Sequence, residues 1–150
     1  MKGEPAMLPE SDTDDAYQLD AQVGYLLRLA SQRHAVIFQK LVTAGLTPTQ
    51  FSTLIRVWEQ GAVSQNRLGR LAAMDVATIK GVVDRLRKKE LVRSEPDPND
   101  KRRTTIFLTD KGNALVSTLM QDGKRITEET LKPLSPAEQK TFLSLLEKLI

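Results

Sequence analysis

At 150 residues, 40% hydrophobic and 27% charged, the chain has the size and composition of one soluble domain able to bury a core. No stretch approaches the roughly 18 consecutive apolar residues of a membrane span. The acidic start MKGEPAMLPESDTDD lacks the apolar centre of a signal peptide, so a cytoplasmic protein with no membrane partner is expected.

Residues 1–20 carry one Lys against six Asp/Glu, and the Pro, Gly and acids of residues 1–17 show no periodicity. A flexible acidic arm is expected there, followed by a single domain over 18–150. A long helix is predicted over about 18–43, with Val23, Leu27, Ala30, His34, Ile37 and Leu41 at helical spacing. Gly45 closes it. Thr47-Pro48-Thr49-Gln50 reads as a capping box opening the next helix, whose apolar face is Phe51, Leu54, Ile55 and Trp58 and whose end is Gly61.

Ser64 caps a short helix carrying Leu68, Leu71 and Ala72; after a turn at Ala73-Met74, Asp75 caps a second. The expected buried face of that second helix is Val76, Ile79, Val83 and Leu86. Two short capped helices separated by a tight turn form a helix-turn-helix pattern. Leu91-Val92-Arg93 then reads as a strand, residues 96–100 as a turn and Thr104–Leu108 as a returning strand. A hairpin in that position is a wing. Thr109 opens a helix to about 130, and Ser135-Pro136-Ala137-Glu138 is a capping box starting the last one, with Phe142, Leu145, Leu146, Leu149 and Ile150.

The expected fold is therefore mainly α with a small β-hairpin wing. A winged helix-turn-helix lobe spans about 47–109, and the flanking helices of 18–43 and 110–150 serve dimerisation. Residues 64–103 hold eleven Lys/Arg against six Asp/Glu although the whole chain carries only +3. Such a block fits a phosphate-facing surface, and equally a solvated helical face.

The helix from Asp75 is the candidate reader of double-stranded DNA. Ala77 and Gly81 are small enough for close approach, Thr78 can bond bases, and Lys80 and Arg85 reach guanine or phosphate. Gly81 costs roughly 1 kcal/mol in mid-helix, so close approach to DNA or to a neighbouring helix is its expected reason. Ser64, Gln65 and Asn66 start the preceding helix, where backbone N–H groups favour a phosphate; ordinary capping by Ser64 explains it as well. Lys101, Arg102 and Arg103 tip the wing, where an arginine suits a narrow minor groove. A charged hydrogen bond to Asp100 is expected to hold the Arg102 guanidinium.

The run DPNDKRRTTIFLTDKG, following GVVDRLRKKELVRSE, resembles the MarR family of bacterial transcriptional regulators. The family's wing reads D-x-R, five residues, then L-T-x-x-G, here Asp100, Arg102, Leu108, Thr109 and Gly112. Glu90-Leu91 departs from the Gly-Leu frequent at the end of the family's recognition helix; glutamate tolerates a left-handed backbone poorly. The resemblance implies a homodimer whose first and last helices intertwine, a palindromic operator and a small ligand that lowers DNA affinity. The apolar surplus of the last helix agrees with a dimer.

Family pockets lie between the dimerisation helices and the DNA-binding lobe, which makes Arg33, His34, Phe38, Phe51 and Trp58 candidate ligand contacts, suited to a small aromatic acid. Taken alone, the same residues are ordinary core or interface groups. QRHAVIF and LTPTQF also resemble a subgroup that regulates breakdown of hydroxylated nicotinate and related aromatic acids.

Catalysis is not expected. With one His and no Cys, neither a metal site nor thiol-based redox sensing is expected. The chain contains no glycine-rich phosphate loop and no G-x-S-x-G elbow, and no cofactor is expected. The rival reading is a helical interaction module whose winged helix contacts another protein.

Overall fold

The computed structural model describes Gly3 and residues 16–150. Most of the acidic arm expected over 1–17 lies outside the described residues. The chain divides into two compact units, residues 1–33 and 34–150, with the boundary inside the first long helix.

In the first unit, a 3-10 turn at Leu19–Ala21 precedes α1 (Val23–Leu41). The helix expected from residue 18 is interrupted at Gln22, which is extended (φ −82, ψ 136). The Gln22 side-chain amide donates to the Gln18 carbonyl at 2.9 Å, occupying the acceptor that a continuous helix would give to its backbone N–H. Val23, Leu26, Leu27 and Leu29 are exposed on this part of α1.

The second unit holds the core. After a turn at Thr43–Gly45, α2 (Pro48–Gln60) opens with the expected reciprocal capping box of Thr47 and Gln50. It stops at Gly61 (φ 73), whose N–H is shared by the Val57 and Trp58 carbonyls. A strand that the sequence did not announce, β1 (Ala62–Ser64), follows directly. Three residues are too few for a periodic signal, and they become a strand because β3 supplies their partners. The remaining elements are α3 (Gln65–Leu71), α4 (Val76–Lys88), β2 (Val92–Pro96), β3 (Thr104–Leu108), α5 (Asp110–Leu131) and α6 (Pro136–Glu147). The sheet is antiparallel in the order β1-β3-β2, with Val63 opposite Ile106 and Ser94 opposite Ile106 on the other side.

Leu54 and Val57 of α2, Leu68 of α3, Ile79, Val83 and Leu86 of α4, Ile106 of β3, and Val116 and Leu119 of α5 form one buried cluster. The buried face expected for α4 needs one correction: Val76 is 70% exposed, and Val82 is buried instead. Val76 is the first residue of its helix and lies beyond the edge of the core, where helical periodicity no longer implies burial.

Both helix-turn-helix members end in a left-handed residue that is not glycine. Ala73 (φ 56) follows α3, with Met74 N–H bonded to Gly69 O at 2.8 Å and Ala73 N–H to Arg70 O at 3.2 Å. Glu90 (φ 61) follows α4, with Leu91 N–H bonded to Leu86 O at 3.0 Å and Glu90 N–H to Arg87 O at 2.9 Å. This pair of bonds satisfies the last helical carbonyls, and Leu91 docks with Leu86 in the core. The buried carboxylate of Asp122 is also satisfied: it accepts Thr43 N–H at 2.8 Å and meets Arg125 at 3.2 Å.

Candidate nucleic-acid interface

Gly69 lets α3 and α4 approach each other. A Cβ there would stand 3.1 Å from both Ile79 Cγ2 and the Met74 carbonyl. Asp75 caps α4 as expected, its Oδ1 accepting Thr78 N–H at 2.7 Å. That backbone bond, followed by one with the Thr78 side chain, holds the Asp75 carboxyl below the usual carboxylate range. Ser64 Oγ accepts Arg67 N–H at 3.3 Å, so capping accounts for this serine.

Ala77, Thr78, Lys80 and Arg85 are exposed along α4. At Gly81 a Cβ would meet only Arg85 Nη1, at 3.7 Å. No neighbouring helix requires this glycine.

The wing is pinned at its root and tip. Arg93 lies over the Phe107 ring, 4.3 Å from its centroid, and pairs with Glu95. At the tip Asp97 N–H donates to Arg103 O and Arg103 N–H to Asp100 O, both at 2.9 Å. The hydrogen bond expected from Asp100 to the Arg102 guanidinium is not formed, since Nε stands 3.7 Å from Oδ1. The same oxygen accepts the Arg102 backbone N–H at 3.0 Å. Asp100 therefore shapes the turn and leaves the Arg102 side chain 95% exposed.

Tertiary structure gathers these pieces. Ser64, Gln65 and Asn66 line a crevice of about 50 Å³ with Arg102, Arg103 and Thr104. A larger cleft, about 430 Å³, is bounded by Gln65, by Lys80, Asp84 and Arg87 of α4, and by Ser94, Glu95, Pro96 and Thr104 of the wing. Sequence reasoning passed over Asp84, Arg87 and Thr104 as lining residues. The signal for the first two was present, because 80, 84 and 87 share one helical stripe. Lys101 is exposed at the wing tip.

Gly112 joins the wing to α5. A Cβ at this position would lie 2.0 Å from the Leu91 carbonyl oxygen. Thr109 completes the junction: its hydroxyl donates to Glu90 O at 2.6 Å, its N–H bonds Leu91 O at 3.1 Å, and its Oγ1 caps Gly112 N–H at 3.0 Å. The L-T-x-x-G segment is thus the seat of α5 against the end of α4.

Of the candidate ligand residues, three lie together. Phe38 meets Phe51 edge-on with ring centroids 5.6 Å apart, and His34 lies 6.5 Å from Phe38. His34 Nδ1 is 2.9 Å from Thr130 Oγ1. Beside Phe51 a cleft of about 550 Å³ opens between α2 and α5, lined by Ile55, Met120, Gly123, Lys124, Thr127 and Glu128. Trp58 is exposed near the end of α2, and Arg33 is exposed on the part of α1 in the first unit. Among the described residues no cluster of three or more His, Asp or Glu is placed to hold a metal, and no helix is long and apolar enough to cross a membrane.

A helix-turn-helix closed by a three-stranded sheet and flanked by long helices defines a winged-helix protein of the transcriptional-regulator class. The MarR family model matches residues 46–104. The chain is 39% identical over 150 residues to the HTH-type transcriptional repressor NicR of Pseudomonas putida, spanning 99% of this chain and 94% of that protein. It resembles the crystal structure of a probable transcriptional regulator from Pseudomonas aeruginosa, with a TM-score of 0.85, 46% identity, and 89% of this chain and 100% of that one covered. It also resembles BpsR of Bordetella bronchiseptica, whose DNA binding is regulated by 6-hydroxynicotinic acid; there the TM-score is 0.83, the identity 38%, and the coverage 89% and 96%. The chain belongs to the MarR family, and its relatives are transcriptional regulators.

Proposed function

We propose that this protein is a homodimeric, sequence-specific DNA-binding repressor of nearby genes, released by a small aromatic acid. The observation that carries the DNA-binding part is the convergence of the α3 start and the stripe of α4 on the arginine-bearing wing. Thr78, Lys80, Gly81 and Arg85 enter the major groove with Ala77, and Asp75 holds the helix start. Ser64, Gln65 and Asn66 approach the backbone with Lys101 and Arg103, while Arg102 takes the adjacent minor groove. Dimerisation is supported by α6, which buries none of its residues: Phe142, Leu143 and Leu145 on the helix, with Leu149 beyond it, are all exposed.

The ligand reading rests on the His34–Phe38–Phe51 group and the adjoining cleft. Phe51 and Lys124 both line that cleft, an aromatic ring and a cation that suit a planar ring carrying a carboxylate. The regulation of BpsR by 6-hydroxynicotinic acid makes that compound the first to try. Such a ligand acts only by favouring a dimer geometry that does not fit DNA.

Fluorescence anisotropy of a duplex from the DNA flanking the gene, against a scrambled duplex, tests the reading. Arg102→Ala is expected to weaken specific binding about tenfold or more with the melting temperature nearly unchanged, because the side chain is fully in solvent. The log–log salt slope of wild-type binding should amount to ~0.9 per phosphate neutralised. Unchanged affinity removes the wing from the interface, and no binding to any duplex at low salt leaves a protein-interaction module.

A further inference from the structure

We infer that Val76 reads a thymine 5-methyl group in the major groove, making it a specificity-determining residue of the DNA-binding surface proposed above, on which this inference rests. At 70% exposure it is among the most exposed large apolar side chains of the described lobe. Its face is the informative part. One turn after Val76 comes Lys80, then Asp84 and Arg87, the stripe of α4 that lines the cleft toward the wing. Val76 therefore continues that stripe one turn further toward the N-terminal end of α4, the end whose residues reach base edges when such a helix lies in a major groove.

The polar groups at this helix start are already engaged. The Asp75 carboxylate occupies Thr78 N–H, so the N-terminus is not an open seat for an anion. Two branched methyl groups beside a small Ala77 remain to meet the DNA. The major-groove feature that rewards them is the thymine methyl, which is read by apolar contact and not by a hydrogen bond. A helical turn advances 5.4 Å against a base-pair rise of 3.4 Å. The thymine read by Val76 should accordingly fall within about two base pairs of the position sensitive to Lys80.

The test begins with selection of tight-binding duplexes from a random pool by the wild-type protein. Each thymine of the winner is then replaced by deoxyuridine, which removes only the methyl. One symmetry-related pair of replacements is expected to weaken wild-type binding about fourfold per half-site. Val76→Ala should bind the parent duplex correspondingly less tightly and be indifferent to those same replacements. Its melting temperature should be unchanged or slightly raised, since an exposed valine gives way to a better helix former. If no thymine is sensitive, or if Val76→Ala stays as sensitive as wild type, Val76 is not a methyl reader although the protein binds DNA. If wild type enriches no duplex, the DNA-binding reading itself fails.

Discussion

Three backbone positions show how single residues set this lobe, and they predict opposite responses to similar changes. Gly112→Ala would drive a methyl group into the Leu91 carbonyl at 2.0 Å. We expect a loss of about 3 kcal/mol or more in a urea melt, because backbone rather than a mobile side chain must yield. Gly81→Ala meets nothing closer than Arg85 Nη1 at 3.7 Å. It should stabilise by about 1 kcal/mol through helix propensity while weakening DNA binding by anisotropy, if DNA is what approaches this glycine. A stabilised variant with full DNA affinity would leave Gly81 without a role. Glu90 takes the left-handed cap at φ 61 even though the departure from Gly-Leu in the sequence had put that cap in doubt. Glu90→Gly should relieve the crowding of its Cβ and raise stability by about 1 kcal/mol, read from the urea midpoint.

At the scale of the element, α4 depends on its cap as much as on its buried face. The Thr78 backbone bond lowers the pKa of Asp75 in the folded state. The sign follows directly: a group whose folded pKa is depressed stabilises the protein above its unfolded pKa, near 3.8, and that contribution disappears as the pH falls through the folded value. Asp75→Ala should therefore melt below wild type at neutral pH, and the two melting curves should converge below pH 3.8. A difference that persisted unchanged in acid would show that the carboxylate charge does not hold the cap. Capping was the most readable feature of this chain. Thr47, Ser64, Asp75, Thr109 and Ser135 each cap the helix assigned to them from sequence, because a cap is made with a backbone N–H only three residues away. Less readable were β1, too short to carry a pattern, and the extent of β2, which runs to Pro96 because β3 pairs with it that far.

For the whole molecule the telling feature is the apolar surface left in water. Leu145 at 54% and Leu149 at 67% exposure, near the C-terminus, carry an energetic cost that a second copy would remove. Leu145→Glu combined with Leu149→Glu is expected to shift sedimentation velocity from dimer to monomer. The circular dichroism of the 34–150 unit should be largely retained, since neither side chain belongs to its core. A wild-type protein that sediments as a monomer at micromolar concentration would overturn the dimer reading.

The sequence by itself determined the order of helices and turns, the caps, the wing and the family, because those depend on neighbours within a few residues and on a local motif. Only the tertiary structure decided which side of α4 faces outward at Val76, that the carboxylate of Asp100 hydrogen-bonds the backbone of Arg102 and meets its guanidinium only as a 3.7 Å ion pair, and that Gly112 rather than Gly81 is demanded by packing. It also brought Gln65, Lys80 and Thr104 to one cleft and Phe38 against Phe51. The physical reason is the range of the interaction. Helical period and capping act over three or four residues, whereas burial and close approach depend on chain segments that meet only after folding.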